Sequence, residues 1–143
     1  MPLPIKTSIV LLLFLAAGAI AGGYGILSDP SGGFLKMSVR DLASSPFPNF
    51  LLPGIFLLVV LGFGSAVAAL LLWKLPGRVS WLFAVGISAS LLAWLAVQVA
   101  ILGYRGLLQP LYAFLGLILL ALLMTRTARE YGRVAALGRP TFR

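Results

Sequence analysis

The sequence contains no cysteine and no histidine. Without cysteine there is no disulfide framework and no thiolate nucleophile, and the usual ligands of zinc and iron–sulfur centres are missing. Without histidine, the side chain that titrates nearest neutral pH is gone, and with it the commonest transition-metal ligand. Acids are scarce as well. Asp29, Asp41 and Glu130 are the whole set, against 11 Lys and Arg. Charged residues make up 10% of the chain, where soluble domains carry about 25%. There is too little polar surface to cover a 61% hydrophobic chain as a soluble fold. P-loop-type phosphate cradles are absent.

What is present is a series of long apolar runs. Four have the length needed to cross a hydrocarbon core of about 30 Å: about 8–27, 50–75, 80–103 and 107–125, followed by a basic tail, 126–143. At 143 residues this is one integral membrane domain. The expected fold is all-α, a four-transmembrane-helix bundle with an outer loop between helices 1 and 2. For the first run a signal peptide is the competing reading, since Lys6 supplies an n-region and Ala19-Ile20-Ala21 fits a small-residue cleavage site. The apolar run continues past Ala21, which favours an uncleaved span. Gly18 with Gly22, Ala21 with Gly25, and Gly62 with Ala66 have the small-xxx-small spacing that lets helix backbones approach closely.

The section from Ser28 to Asn49 is the longest polar one. It opens on the turn cluster Asp29-Pro30-Ser31-Gly32-Gly33, and Ser38 precedes Asp41 at capping-box spacing. Phe34, Leu35, Met37, Val39 and Leu42 make it too apolar for a freely solvated loop, so it is expected to pack on the bundle or membrane surface. Asp29 and Asp41 are too few to make a convincing cation site. Asn49 is the expected N-cap of the second span, and Gly54, Leu58, Gly62, Ala66 and Leu70 follow at steps of four. Trp73 and Trp81 flank the Pro76-Gly77 turn as an expected interfacial belt. In the tail, residues 126–137 are expected to prolong the fourth helix until Gly138-Arg139-Pro140 stops it.

The third span and the start of the fourth hold the least lipid-like residues. Gly86, Ser90, Trp94 and Gln98 fall at steps of four, a slanted stripe expected to face the bundle interior. The only two glutamines, Gln98 and Gln109, flank a turn so short that the two spans must be antiparallel neighbours. They are expected at similar depth, near Trp94 and Tyr112, bonded to each other, to a backbone carbonyl freed by Pro110, or to a ligand. Ser90, Trp94, Gln98, Gln109 and Tyr112 are therefore the candidate ligand or polar cluster.

Asp29-Pro30-Ser31-Gly32, Ser45-Pro46-Phe47, Leu52-Pro53-Gly54, Trp94 with Gln98, and Gln109-Pro110-Leu111-Tyr112 occur in this order along the chain. Together they resemble a group of small bacterial four-span integral membrane proteins to which no activity is attached. The resemblance implies the four-span topology and a bacterial inner membrane, and no cofactor or site.

No ionisable residue lies well inside any span, which argues against proton-coupled export. Ser65, Ser88 and Ser90 lack a base within reach along their spans, so no catalytic residue is assigned and an enzyme is not expected. No cofactor or metal is implied. Lys6, Lys74, Arg78 and the five tail arginines lie on one side, and Lys36, Arg40 and Arg105 on the other. By the positive-inside rule the larger set is cytoplasmic, with both termini. The net charge of +8 thus reports orientation rather than nucleic-acid binding. Three roles remain: a binding or accessory protein for lipid, a hydrophobic small molecule or a membrane partner protein; an oligomeric transporter or channel subunit with an uncharged pathway, working as a homo-oligomer; and a purely structural bundle.

Overall fold

A computed structural model describes residues 1–29, 46, 48–103 and 107–133. Among the described residues there are five helices and no strand. They are α1 (Leu3–Ser28), α2 (Leu51–Lys74), α3 (Arg78–Leu102), α4 (Leu108–Leu123) and α5 (Arg126–Arg133). By length and apolarity α1, α2 and α3 can each cross a membrane, and α4 with α5 makes a fourth span only if the bent pair is counted as one. The expected ordering of residues 34–42, the Ser38–Asp41 capping box, a possible Asp29–Asp41 pairing and the tail beyond Arg133 lie outside the described residues.

Around the bundle α1 packs on α2 and α4, and α3 packs on the same two, so the order is α1–α2–α3–α4. The start of α1, the end of α4 and α5 lie at one end, here the terminal end; the end of α1, the start of α2, the end of α3 and the start of α4 lie at the other, the loop end. α1 begins at Leu3, earlier than hydropathy alone indicates. A proline at position 4 is harmless there, because first-turn amides have no intrahelical partner. At the start of α2, Asn49 Oδ1 accepts the Leu51 amide at 3.0 Å, an Asx turn one residue ahead of the N-cap, which is Phe50 rather than the expected Asn49.

The α1–α2 contact is the closest in the bundle. A Cβ on Gly23 would lie 2.8 Å from the Leu58 amide nitrogen, and one on Gly62 would lie 2.8 Å from Ile20 Cγ1. Gly54 is pressed against Ile26 in the same way. Of the small pairs expected to mediate close approach, Gly62 does so. Gly22 meets Leu57 at an ordinary 3.4 Å, and Ala21 faces outward. Within α2, Leu57–Phe63 is a π-helical turn. The extra residue in this turn rotates everything after it by about 100°. Gly54 and Gly62 are buried, whereas Leu70 is 52% exposed, and the inward residues of the second half of α2 are Ser65, Ala68, Ala69 and Leu72.

The terminal end is closed by side chains that satisfy stranded carbonyls. Leu72 would normally bond the amide of residue 76, but that residue is proline and has no N–H. The Tyr131 hydroxyl donates to the Leu72 carbonyl instead, at 2.5 Å. Trp81 Nε1 donates to the Leu123 carbonyl at the end of α4, at 2.8 Å. Thr125 Oγ1 donates to the Leu122 carbonyl at 2.7 Å and accepts the Ala128 amide at 3.3 Å, ending one helix and starting the next. One sequence expectation is corrected here. The tail does not prolong α4; the chain bends by 64° and α5 folds beneath the bundle. Trp81 is half-buried against α5, while Trp73 stays 58% exposed.

Candidate functional site

The terminal half of the bundle is filled. Leu12, Leu72, Ala84, Leu119 and Leu123 have no exposed surface. Toward the loop end the packing loosens. The first half of α2 makes little contact with α3 and none with α4, whereas its second half packs closely on α3. The helices splay there around a cavity of about 210 Å³, to which all four contribute. Leu15, Gly18, Ala19, Gly22 and Ile26 come from α1, Pro53, Leu57 and Leu61 from α2, Trp94 and Gln98 from α3, and Gln109 and Tyr112 from α4. The π turn places Leu57 and Leu61 on this wall.

Aromatic contacts hold the walls apart. Phe56 of α2 stacks on Trp94 of α3 with ring centroids 5.0 Å apart and planes at 22°. Phe50, 2% exposed, packs with Ile26, Ile101 and Leu102 at the loop end. Tyr112 crosses from α4 to α1, stacking on Phe14 at 6.5 Å. Its hydroxyl fills the space a Cβ on Gly18 would need, 2.1 Å from that position. Gly18 is therefore glycine to admit a tyrosine.

The structure brings Trp94, Gln98, Gln109 and Tyr112 to one cavity and leaves Ser90 out of its lining. Ser90 Oγ donates back to the Gly86 carbonyl at 2.7 Å, a bond within its own helix. Gly86, expected on the interior stripe, is exposed, with nothing within 4 Å of the Cβ it lacks. Each step of four residues turns about 40°, so Gly86 and Gln98 are about 120° apart around α3. The stripe spirals from the lipid face into the cavity.

The two glutamines have different roles. Gln109 is buried, and its Nε2 donates to the Gly103 carbonyl at 3.2 Å, stapling the α3–α4 turn. Gly103 has φ of 72°, a conformation glycine adopts without strain. Both glutamines line the cavity, as expected, but among the described residues no hydrogen bond joins Gln98 to Gln109, one of the three partners expected for them. Gln98, half-buried, lines the cavity, and among the described residues its amide has no hydrogen-bond partner; the same holds for the Tyr112 hydroxyl. By rise per residue both sit about 6 Å below the loop end of their helices, four residues from Leu102 and from Leu108, at equal depth on adjacent helices.

The contributions of α1 and α2 to the wall were not foreseen from sequence. Gly18 and Gly22 carried a signal, their helix-packing spacing, but their neighbours could not be read from it. Leu57 and Leu61 carried none.

These features define the class: a small multi-pass helical membrane protein with a cavity toward one end of its bundle. Compared with protein-family models, characterised proteins and solved structures, the chain matches none.

Proposed function

We propose that this protein is a non-enzymatic binding protein of the membrane, and that its loop-end cavity holds an uncharged, largely hydrophobic molecule bearing one hydrogen-bonding group. The observation that carries this reading is the pairing of an apolar wall with two polar groups, the Gln98 amide and the Tyr112 hydroxyl, that have no partner among the described residues. Small-molecule sites have this form, mostly apolar with a few polar groups that fix orientation. The lining contains no charged residue, so it favours a neutral ligand. An engineered apolar cavity of 150 Å³ binds benzene. A cavity of about 210 Å³ scales to roughly eight carbons, a small aromatic molecule or the upper part of one lipid chain. The ligand's carbonyl or hydroxyl would meet Gln98 and Tyr112, and its chain the wall of Leu57, Leu61 and Trp94.

Two further points support binding over passage or catalysis. The cavity lies in the loop half while the terminal half is filled by side chains, which supports a pocket within one chain rather than a pathway through it. The hydroxyls of Ser65, Ser88 and Ser90 each donate to the carbonyl four residues earlier in their own helix, a structural use. The charge asymmetry of the loops and the resemblance to bacterial four-span proteins support a bacterial cytoplasmic membrane with both termini inside.

The test is mass spectrometry of small molecules that co-purify with the protein from mild detergent. Wild type is expected to carry one neutral amphiphile per chain. Gln98→Leu is expected to lose it while changing stability by about 1 kcal/mol or less, the range of single polar contacts between membrane helices. Undiminished retention by Gln98→Leu and by Leu57→Trp, which fills the cavity, would refute the site.

A further inference from the structure

We propose that the terminal end of the bundle carries a second, separate binding surface, for the headgroups of anionic phospholipids, built on α5. With α4 along the membrane normal, a bend of 64° sets α5 about 26° (90 − 64) from the membrane plane. The helix is fixed in that position. Ala128 and Tyr131 are 0% and 2% exposed, and Tyr131 bonds the Leu72 carbonyl. A Cβ on Gly132 would lie 2.9 Å from Trp81 Cβ, so that face lies flat against α3.

The opposite face presents Arg126, Arg129 and Arg133, all exposed, at spacings of three and four that put them on one stripe. Glu130 is the only acid beyond position 41, and its carboxylate is taken by Arg126 Nε at 3.1 Å. Arg129 and Arg133 are left with no acid to pair with among the described residues. Lys74 and Arg78 flank the α2–α3 turn at the same end, both exposed. Lys74 Nζ lies 4.0 Å over the Trp73 ring, which keeps the ammonium at the level of an interfacial indole. Trp73, Leu75 and Met124, 58%, 61% and 42% exposed, supply apolar contact beside these cations.

A surface with several cations, one neutralised acid and exposed apolar side chains at the hydrocarbon edge matches a lipid phosphodiester with its attached chains. Arginine suits phosphate oxygens through paired N–H donors, and lysine acts as a point charge. A soluble phosphate would use the cations and leave the apolar rim unused, so the phospholipid headgroup is the better fit.

The experiment uses the full chain in detergent micelles and native mass spectrometry, with phosphatidylglycerol and phosphatidylcholine titrated at equal concentration. Wild type is expected to retain phosphatidylglycerol selectively. A basic residue near an anionic surface contributes about fivefold in affinity, so Arg129→Gln with Arg133→Gln is expected to weaken retention about 30-fold. Arg129→Lys with Arg133→Lys keeps the charge and is expected to retain most of it, and sn-glycerol 3-phosphate is expected not to displace the lipid. The proposal is overturned by equal retention of the two lipids in wild type or by unchanged selectivity in the glutamine variant. It is equally overturned by a loss in the lysine variant as large as in the glutamine one, or by displacement with equimolar glycerol phosphate.

Discussion

Replacing Gly18 by alanine tests the cavity wall through the contact between Gly18 and Tyr112. The new methyl would lie 2.1 Å from the Tyr112 hydroxyl, and real Cβ contacts essentially never fall under 3.0 Å, so the oxygen must retreat by at least 0.9 Å (3.0 − 2.1). Tyr112 is braced by Phe14, and that retreat pushes its ring out of register with the stack. Overpacking of this kind costs about 1–3 kcal/mol. In a Tyr112→Phe background the nearest atom is the ring carbon Cζ at 3.2 Å, which needs to give only a few tenths of an ångström. The alanine should then cost well under about 1 kcal/mol. The two substitutions are therefore coupled, with an expected interaction energy of about 1–2 kcal/mol in favour of the double variant. Thermal unfolding of the four proteins in one mild detergent measures this cycle. Additivity within about 0.5 kcal/mol would mean that Tyr112 does not cross to α1 at Gly18, and the wall as described would be wrong.

Removing the Tyr131 hydroxyl as Tyr131→Phe should cost about 1 kcal/mol or somewhat more, because the Leu72 carbonyl, already denied its helical partner by Pro76, loses its substitute. Burial raises the Tyr131 pKa above its ordinary 10.0. The neutral phenol is thus favoured by folding, so its contribution is complete below pH 10 and is lost as pH rises through the folded value. Unfolding scans of wild type should show an alkaline loss of stability that the phenylalanine variant lacks; identical profiles would remove Tyr131 from the account. For orientation, a reporter fused to the C-terminus should be active only in its cytoplasmic form, and periplasmic activity would reverse the assignment.

The helical class was legible because long unbroken apolar runs satisfy their backbone in hydrocarbon as helices, whereas the strands of a barrel alternate. Span boundaries were less so. Hydropathy placed the start of α1 late, since Lys6 and Pro4 interrupt the apolar run, yet both are tolerated in a first turn. The bend after α4 was missed, because nothing in Leu123-Met124-Thr125-Arg126 forbids a continuous helix. What bends the chain is the docking of Ala128, Tyr131 and Gly132, a tertiary effect. At the cavity, Trp94, Gln98, Gln109 and Tyr112 were found because polar and aromatic groups stand out in an apolar span and a short turn fixes their pairing. Gly86 was misplaced because a four-residue step is not a straight line on a helix. The π turn in α2 was invisible, since LLVVLGF is as compatible with an α-helix. It could be found only through the glycine contacts with α1 that set the register.

The 64° bend also sets how the protein meets its bilayer. It leaves α4 with 16 residues, about 24 Å of helix, against 26, 24 and 25 residues for α1, α2 and α3. A hydrocarbon core of about 30 Å fits the long three with some tilt but exceeds α4. With α4 alone as the crossing segment, lipid beside it would have to thin while lipid on the opposite side of the ring need not, and the annulus around the bundle would be lopsided. Such mismatch costs a fraction of a kcal/mol per ångström, enough to favour thinner membrane regions or a neighbour that covers the short side. The membrane property to which α4 responds is thickness.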